Sequence, residues 1–302
     1  TNGSAPNNTY ATTPFSDTEH HQPNDTDTDG TTVSLQIFQQ WSESSAPCLS
    51  ACIETFLHYI LFPDRPYPPS RTEFIFPNLR GQHSAFFHSN AIVKSKELEG
   101  LQSRSSPLLF SLAAMSPSLG GAWHRLFTSD SDGLSFNRLQ NALLGYSGPT
   151  LLIIQEQSPS GGIFGAFTST KWKETKNFYG NSDCFLFQIK PSVAVYRPRS
   201  RGVDNFMYCN SESRSRGYDN QPHGIGFGGT IDKPRLFISE TLDGCMASSG
   251  DLTFEPGPLL PPSIHEGEPP RKYFEVESCE VWGAGGDAVV SEALGSRFKE
   301  RE

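Results

Sequence analysis

Three patterns in this chain combine residue types and spacings that could do chemistry: its thiols, an aspartate-rich loop and a glycine-rich turn. The six cysteines, Cys48, Cys52, Cys184, Cys209, Cys245 and Cys279, stand in apolar strand-like or helical runs with no C-x-x-C pair among them. Peroxide chemistry needs an exposed thiolate of lowered pKa. Zinc and thioredoxin-type sites need paired spacing. Buried, reduced thiols are therefore the expectation. Asp25-Thr26-Asp27-Thr28-Asp29-Gly30 supplies positions one, three and five and the turn glycine of an EF-hand calcium loop. Position twelve, where a bidentate Glu belongs, is Gln36. A neutral amide there removes two charged oxygens from a hard-cation site, leaving Asp25, Asp27 and Asp29 as weak metal candidates in a decayed loop or an acidic tail. Gly224-x-Gly226-x-x-Gly229 has dinucleotide-binding spacing, yet that fingerprint works only where the strand feeds a helix. Lys233-Pro234 and another strand-like run follow instead, so Gly226, Gly228 and Gly229 read as glycines that let backbones approach closely. No G-x-S-x-G occurs, and the eight histidines contain no H-E-x-x-H. No catalytic residue, resident metal or cofactor is assigned.

Glu280-Val281-Trp282 ends a strand beside Gly283, Gly285 and Gly286. Alternation with apolar neighbours places Glu280 on the solvent face. The other reading is a carboxylate that caps loop backbone groups at the rim of a partner-binding site.

The elements that must position these residues centre on Thr150–Ile189. Leu151–Gln155 and Ile163–Phe167 read as a hairpin across the turn formers Ser158–Gly162. Cys184–Ile189 reads as a third strand, entered through Tyr179-Gly180-Asn181. Phe164, Phe167, Trp172, Phe178, Phe185 and Phe187, with Gly165 among them, predict one aromatic core. Further short strands are expected at Ala194–Arg197, Asn205–Asn210, Gly224–Gly229, Arg235–Glu240, Leu252–Phe254 and Phe274–Trp282, with a helix over Ser135–Leu144. Short runs punctuated by turns favour two packed antiparallel sheets over βαβ units. The fold class is therefore α+β, a two-sheet antiparallel β-sandwich flanked by helices and preceded by a small helical module.

The module is 33–64, with apolar residues at helical spacing that divide near Pro47 into two helices. Residues 1–32 are polar and acidic and are expected to be disordered. Residues 65–106 read as a weakly structured linker, with a short helix at Glu97–Leu101, and the main domain occupies 107–286. At 287–302, Val290, Leu294 and Phe298 recur every four residues, widened by Val289 and Ala293. That is an amphipathic helix, with Asp287 as N-cap and the preceding glycines as a hinge. It either covers its own domain or docks on a partner.

The net charge of −9 is unevenly spread: residues 1–64 hold eight acids and no Lys or Arg, while the other 25 acids face all 24 bases. A nucleic-acid partner needs a basic face, and none is evident. No apolar run reaches the length of about 18 residues that a membrane span requires. The chain opens on Thr1 with no apolar stretch nearby, so no signal peptide is read in it, and a longer parent chain is left open.

In this order, LLIIQE, IFGAF, Trp172, Tyr179-Gly180, CFLFQI, MYCN, GIGFGG, RLFIS, LTF and EVW resemble a TLDc domain over roughly Leu108 to Gly286. The helical module ahead and the tail behind resemble the branch of that family associated with mTOR signalling. One departure is Asp132-Gly133-Leu134-Ser135, where many members carry His-Gly-x-Ser. The resemblance implies a sandwich without an established active site. It also implies a monomeric, cytoplasmic interaction protein, peripheral to lysosomal or vacuolar membranes. Its implied partners are subunits of the vacuolar proton pump (V-ATPase) and TOR-pathway proteins, and its implied role includes resistance to oxidants. A cysteine-dependent antioxidant enzyme and a calcium-responsive adaptor remain the alternatives.

Overall fold

The computed structural model describes residues 32–62, 65, 75–79, 84–87, 106–159, 161–211, 221–260 and 271–299. The aspartates Asp25, Asp27 and Asp29, nearly all of the expected acidic segment 1–32, and Glu97–Leu101 lie outside the described residues. The chain divides into two units, Thr1–Gln39 and Gln40–Glu302. Of the first, only residues 32–39 are described, and its Leu35, Ile37 and Phe38 are exposed.

Both helices of the expected module form, α1 at Leu35–Ser45 and α2 at Leu49–Leu61. Helix α3 (Pro107–Met115) starts where the Ser106 hydroxyl accepts from the Leu109 N–H and Pro107 occupies the first turn. Proline costs nothing there, because that N–H has no helical partner. Strand β1 (His124–Thr128), the short α4 (Ser129–Asp132) and α5 (Phe136–Leu144) follow. Helix α5 buries Phe136, Leu139 and Leu143 on one face, as its spacing predicts.

Among the described residues, twelve strands form two antiparallel six-stranded sheets. The first runs β1, β12 (Val276–Gly283), β2 (Thr150–Glu156), β3 (Ile163–Thr168), β5 (Phe185–Lys190) and β6 (Ala194–Tyr196). The second runs β11 (Arg271–Phe274), β10 (Cys245–Ser248), β9 (Pro234–Ser239), β8 (Gly224–Gly229), β7 (Met207–Asn210) and β4 (Thr175–Tyr179). The hairpin pairs Ile153 with Gly165, and Gly165 in turn faces Phe187. A side chain on Gly165 would run into the Leu152 carbonyl, so only glycine fits that pairing.

The expected third strand is β5, but β4 intervenes in sequence and crosses to the edge of the second sheet. Its polar residues, TKNFY, hid it: an edge strand half in water needs no apolar run. Strands β10 and β11 were likewise unread. Leu252–Phe254 is not a strand, and only Phe254 makes an isolated bridge, to Pro198.

The aromatic residues do not form one core. Alternation along the first sheet sorts them onto its two faces. Leu152, Ile154, Phe164, Leu186, Cys279 and Val281 point between the sheets, where Trp172 and Phe227 join them. Leu151, Ile153, Phe167, Phe185, Phe187 and Trp282 point the other way, into a second core roofed by α2, α3, Phe76, Leu79 and Phe87. Burial on both faces explains why β2 and β5 read as continuous apolar runs. Phe178 is only half-buried and lies 5.5 Å from the Tyr208 ring. Within the segment read as a linker, Phe76, Leu79 and Phe87 belong to this second core.

Gly228 and Gly229 adopt φ of +65 and +70. A Cβ on Gly228 would stand 2.6 Å from Asp251 Oδ2 and 2.8 Å from Arg235 Cβ, so the backbone there is both left-handed and crowded. Gly226 is different, with an ordinary 3.4 Å separation from Phe237. Tyr179 hydrogen-bonds Lys173 through its hydroxyl, and Gly180 (φ +115) turns the chain out of β4.

Candidate functional site

Alternation does turn Glu280 away from the sandwich interior, but that face is covered. Glu280 is 1% exposed, which corrects the expectation of a solvent-facing acid. Its Oε2 accepts from Ser84 Oγ at 2.6 Å and from Trp282 Nε1 at 2.9 Å, and its Oε1 accepts from the Ala85 N–H at 2.8 Å. Ser84 Oγ accepts in turn from the backbone N–H groups of Phe86 and Phe87. The carboxylate thus caps loop backbone groups, as one reading proposed, but inside the protein rather than at a rim. The Trp282 ring packs in turn with Phe87 and Trp123, the three ring centroids 5.8 to 6.3 Å apart. Burial pushes the Glu280 pKa up, opposed by hydrogen bonds from Ser84, Ala85 and Trp282 and by the charge of Arg125. Ser84 and Trp123 carried no sequence signal, because neither belongs to a recognisable spacing.

After β12 the chain is pinned by the Ala284 N–H to the Pro149 carbonyl and by the Tyr146 hydroxyl to the Ala284 carbonyl. Gly285 and Gly286 then take φ of +103 and +83, and helix α6 occupies Gly286–Lys299. The helix starts ahead of Asp287, which therefore sits in the first turn, where its charge favours the positive end of the helix dipole. Val290 and Ala293 are buried, Leu294 is half-buried and Val289 is exposed. The side chain of Phe298 lies outside the described residues.

A third constellation gave no warning in sequence beyond a lone Arg after AVY. Arg197 lies 5.3 Å over the Phe185 ring. It donates from Nε to the Ser44 carbonyl at 2.6 Å and from Nη2 to the Met115 carbonyl at 2.5 Å. One guanidinium thereby satisfies carbonyls at the C-terminal ends of α1 and α3, where positive charge is favoured. Beside it runs an apolar groove of about 170 Å³, lined by Trp41, Ala46, Leu49, Phe110, Ala114 and Val193 among others.

All six cysteines are free and buried. Burial raises the thiols of Cys52 and Cys279 to about 12 and of Cys245 to about 11, and pushes up those of Cys48 and Cys184. Arg197 opposes the shift at Cys48 without reversing it. These are thiols held protonated, the opposite of what nucleophilic chemistry needs. Among the described residues, no group of three His, Cys, Asp or Glu side chains could hold a metal, and no helix is long and apolar enough to cross a membrane.

The family model described as the TLDc domain matches residues 86–285. The protein named MTOR-associated protein MEAK7 in Xenopus laevis is 27% identical over 263 residues, which cover 83% of this chain and 52% of that protein. Its Danio rerio namesake is 32% identical over 183 residues, 60% of this chain and 37% of that protein. Oxidation resistance protein 1 of Yarrowia lipolytica is 26% identical over 170 residues, 54% of this chain and 64% of that protein. The match thus spans about half or less of the length of the MTOR-associated relatives.

Proposed function

The chain belongs to the TLDc domain family, and on that premise we propose that it is a non-catalytic interaction protein of the endolysosomal or vacuolar V-ATPase, linked to TOR signalling and oxidant resistance. The observation that carries a non-catalytic reading is the state of its thiols, all buried and none with a lowered pKa among those that shift. The names of relatives support the signalling and oxidant links. The pump is the partner that the family resemblance implies. In this reading the chain works from the cytoplasm, peripherally on the membrane, with an acidic leader, helical module, sandwich domain and α6 as its working parts. Helix α6 supplies the docking element through Val290, Leu294 and Phe298, released from its own domain about the positive-φ pair Gly285 and Gly286.

Affinity capture on the full chain from lysosome-rich lysate, read by mass spectrometry, tests it. Pump subunits should be recovered, and deletion of 287–302 should weaken that capture at least about tenfold while the domain stays folded. Recovery of no pump subunit would sink the proposal. The thiol-enzyme alternative predicts loss of oxidant protection when all six cysteines become Ser or Ala. The calcium-adaptor alternative predicts binding heat that vanishes in Asp25→Ala.

A further inference from the structure

Helix α2 buries one face and leaves another bare. Cys48, Cys52 and Thr55 are buried inward, so the apolar residues a third of a turn round the helix face outward. Ile53, Leu57 and Leu61 are 43%, 48% and 65% exposed, and at i, i+4 and i+8 they form one ridge. The ridge continues sideways. Phe56, itself exposed, meets the Phe110 ring at 6.4 Å, and Phe110 lines the groove that holds Leu49, Val193 and the exposed Trp41. Single exposed leucines need no explanation, but a contiguous ridge joined to an apolar groove marks an interaction surface.

Charge selects the occupant. Helices α1 and α2 carry Glu43 and Glu54 and no Lys or Arg, within 64 residues that hold eight acids and no base. Arg197, at the groove's end, spends its guanidinium on Ser44 and Met115. Arg65 is the described cation nearest in sequence, and it lies over the Phe62 ring. An anionic membrane surface is repelled by such a patch, and a second copy would set acids against acids. A helical ridge spaced by four residues accepts another helix between its side chains. An extended strand has less to hold, since β6 is three residues long and the chain after it is already bonded to 253–255.

We infer that the outer face of α2, with the adjoining groove, is the docking surface for a basic amphipathic helix of a partner protein. The surface lies on a different element from α6 and needs no pump to test. The full chain is titrated with a labelled Leu/Lys peptide of about five helical turns whose leucines fall on one face, and with the same residues scrambled around the helix. The amphipathic peptide should bind at least about tenfold tighter than the scrambled one, and Leu57→Glu should abolish that margin. Because Leu57 is half in water, this change should leave the melting temperature near that of the parent. Glu54→Lys, which leaves the apolar ridge intact, should weaken the amphipathic peptide severalfold and steepen none of the salt dependence. Equal binding of the two peptides overturns the inference, as does binding indifferent to Leu57→Glu. Two other results assign the face elsewhere and likewise overturn it: Leu57-dependent binding to phosphatidylserine vesicles, or a dimer in sedimentation that Leu57→Glu dissociates.

Discussion

A carboxylate with no counter-ion at hydrogen-bonding distance among the described residues is an expensive thing to bury, and Glu280 shows how this chain meets the cost. Three donors, from Ser84, Ala85 and Trp282, converge on its two oxygens, yet burial still outweighs them and the pKa stands above the usual carboxylate value. The folded chain therefore holds the Glu280 proton more tightly than the unfolded chain. The stability this gives is complete below the unfolded carboxylate range and is lost as pH rises through the elevated folded value. Glu280→Gln cannot ionise. Urea midpoints at several pH values should show the variant gaining on the parent as pH rises from the ordinary carboxylate value of about 4; a constant difference would mean that Glu280 does not titrate differently on folding. Trp172 offers a simpler case. It is buried against Phe227 at 5.9 Å and donates to Thr150 Oγ1 at 2.8 Å, so Trp172→Ala should cost about 3–5 kcal/mol. Near-parental melting would contradict that packing. Trp172 was legible as core because its ring is large and its neighbours are apolar. Glu280 was only half legible, since alternation gives the face on which a residue lies but not what lies over that face.

The elements divide in the same way. Strands β2, β3, β5 and β8 announced themselves because both their faces are buried or their glycines are forced, whereas β4, β10 and β11 are short or polar, and the β4–β7 and β10–β11 pairs join residues more than twenty positions apart. Apart from α3 and the short α4, the helices were legible from spacing. What holds α1 and α3 to the sheet edge was not, because capping by Arg197 depends on residues more than eighty positions away. That cap is separable from packing. Arg197→Met keeps an unbranched aliphatic side chain and removes the charged hydrogen bonds together with the guanidinium's place over the Phe185 ring, so the loss should be about 1–3 kcal/mol. Hydrogen exchange should quicken around Ser44–Cys48 and at the end of α3 while β2 and β3 keep their protection. Uniform acceleration across the domain would show that Arg197 supports the whole fold rather than the helix ends.

For Gln40–Glu302 as a whole, the second core decides where the domain can be cut. The sequence patterns place the sandwich at 107–286, and its inner core needs little else. The outer face of the first sheet is another matter. Phe167, Phe185, Phe187, Trp123 and Trp282 all lie there, and the residues that roof them include Ala46, Cys48, Cys52, Phe76, Leu79 and Phe87, all before 107. Of the described cover, only helix α3 and Leu119 after it remain if the chain starts at 107. Uncovered aromatic surface of that kind binds solvent-excluded dyes and other chains, and Glu280 would lose two of its three donors with Ser84 and Ala85. A chain of 107–302 should therefore melt lower than one of 40–302, bind ANS and self-associate. The inner core should survive in it: β2, β3 and β8 should keep measurable exchange protection, because their packing between the sheets is untouched. If 107–302 instead melts like 40–302 and binds no ANS, the roof contributes nothing to stability and the helical module is an appended part. If both faces unfold together, the two cores are one cooperative unit, and the first sheet cannot be held from one side only.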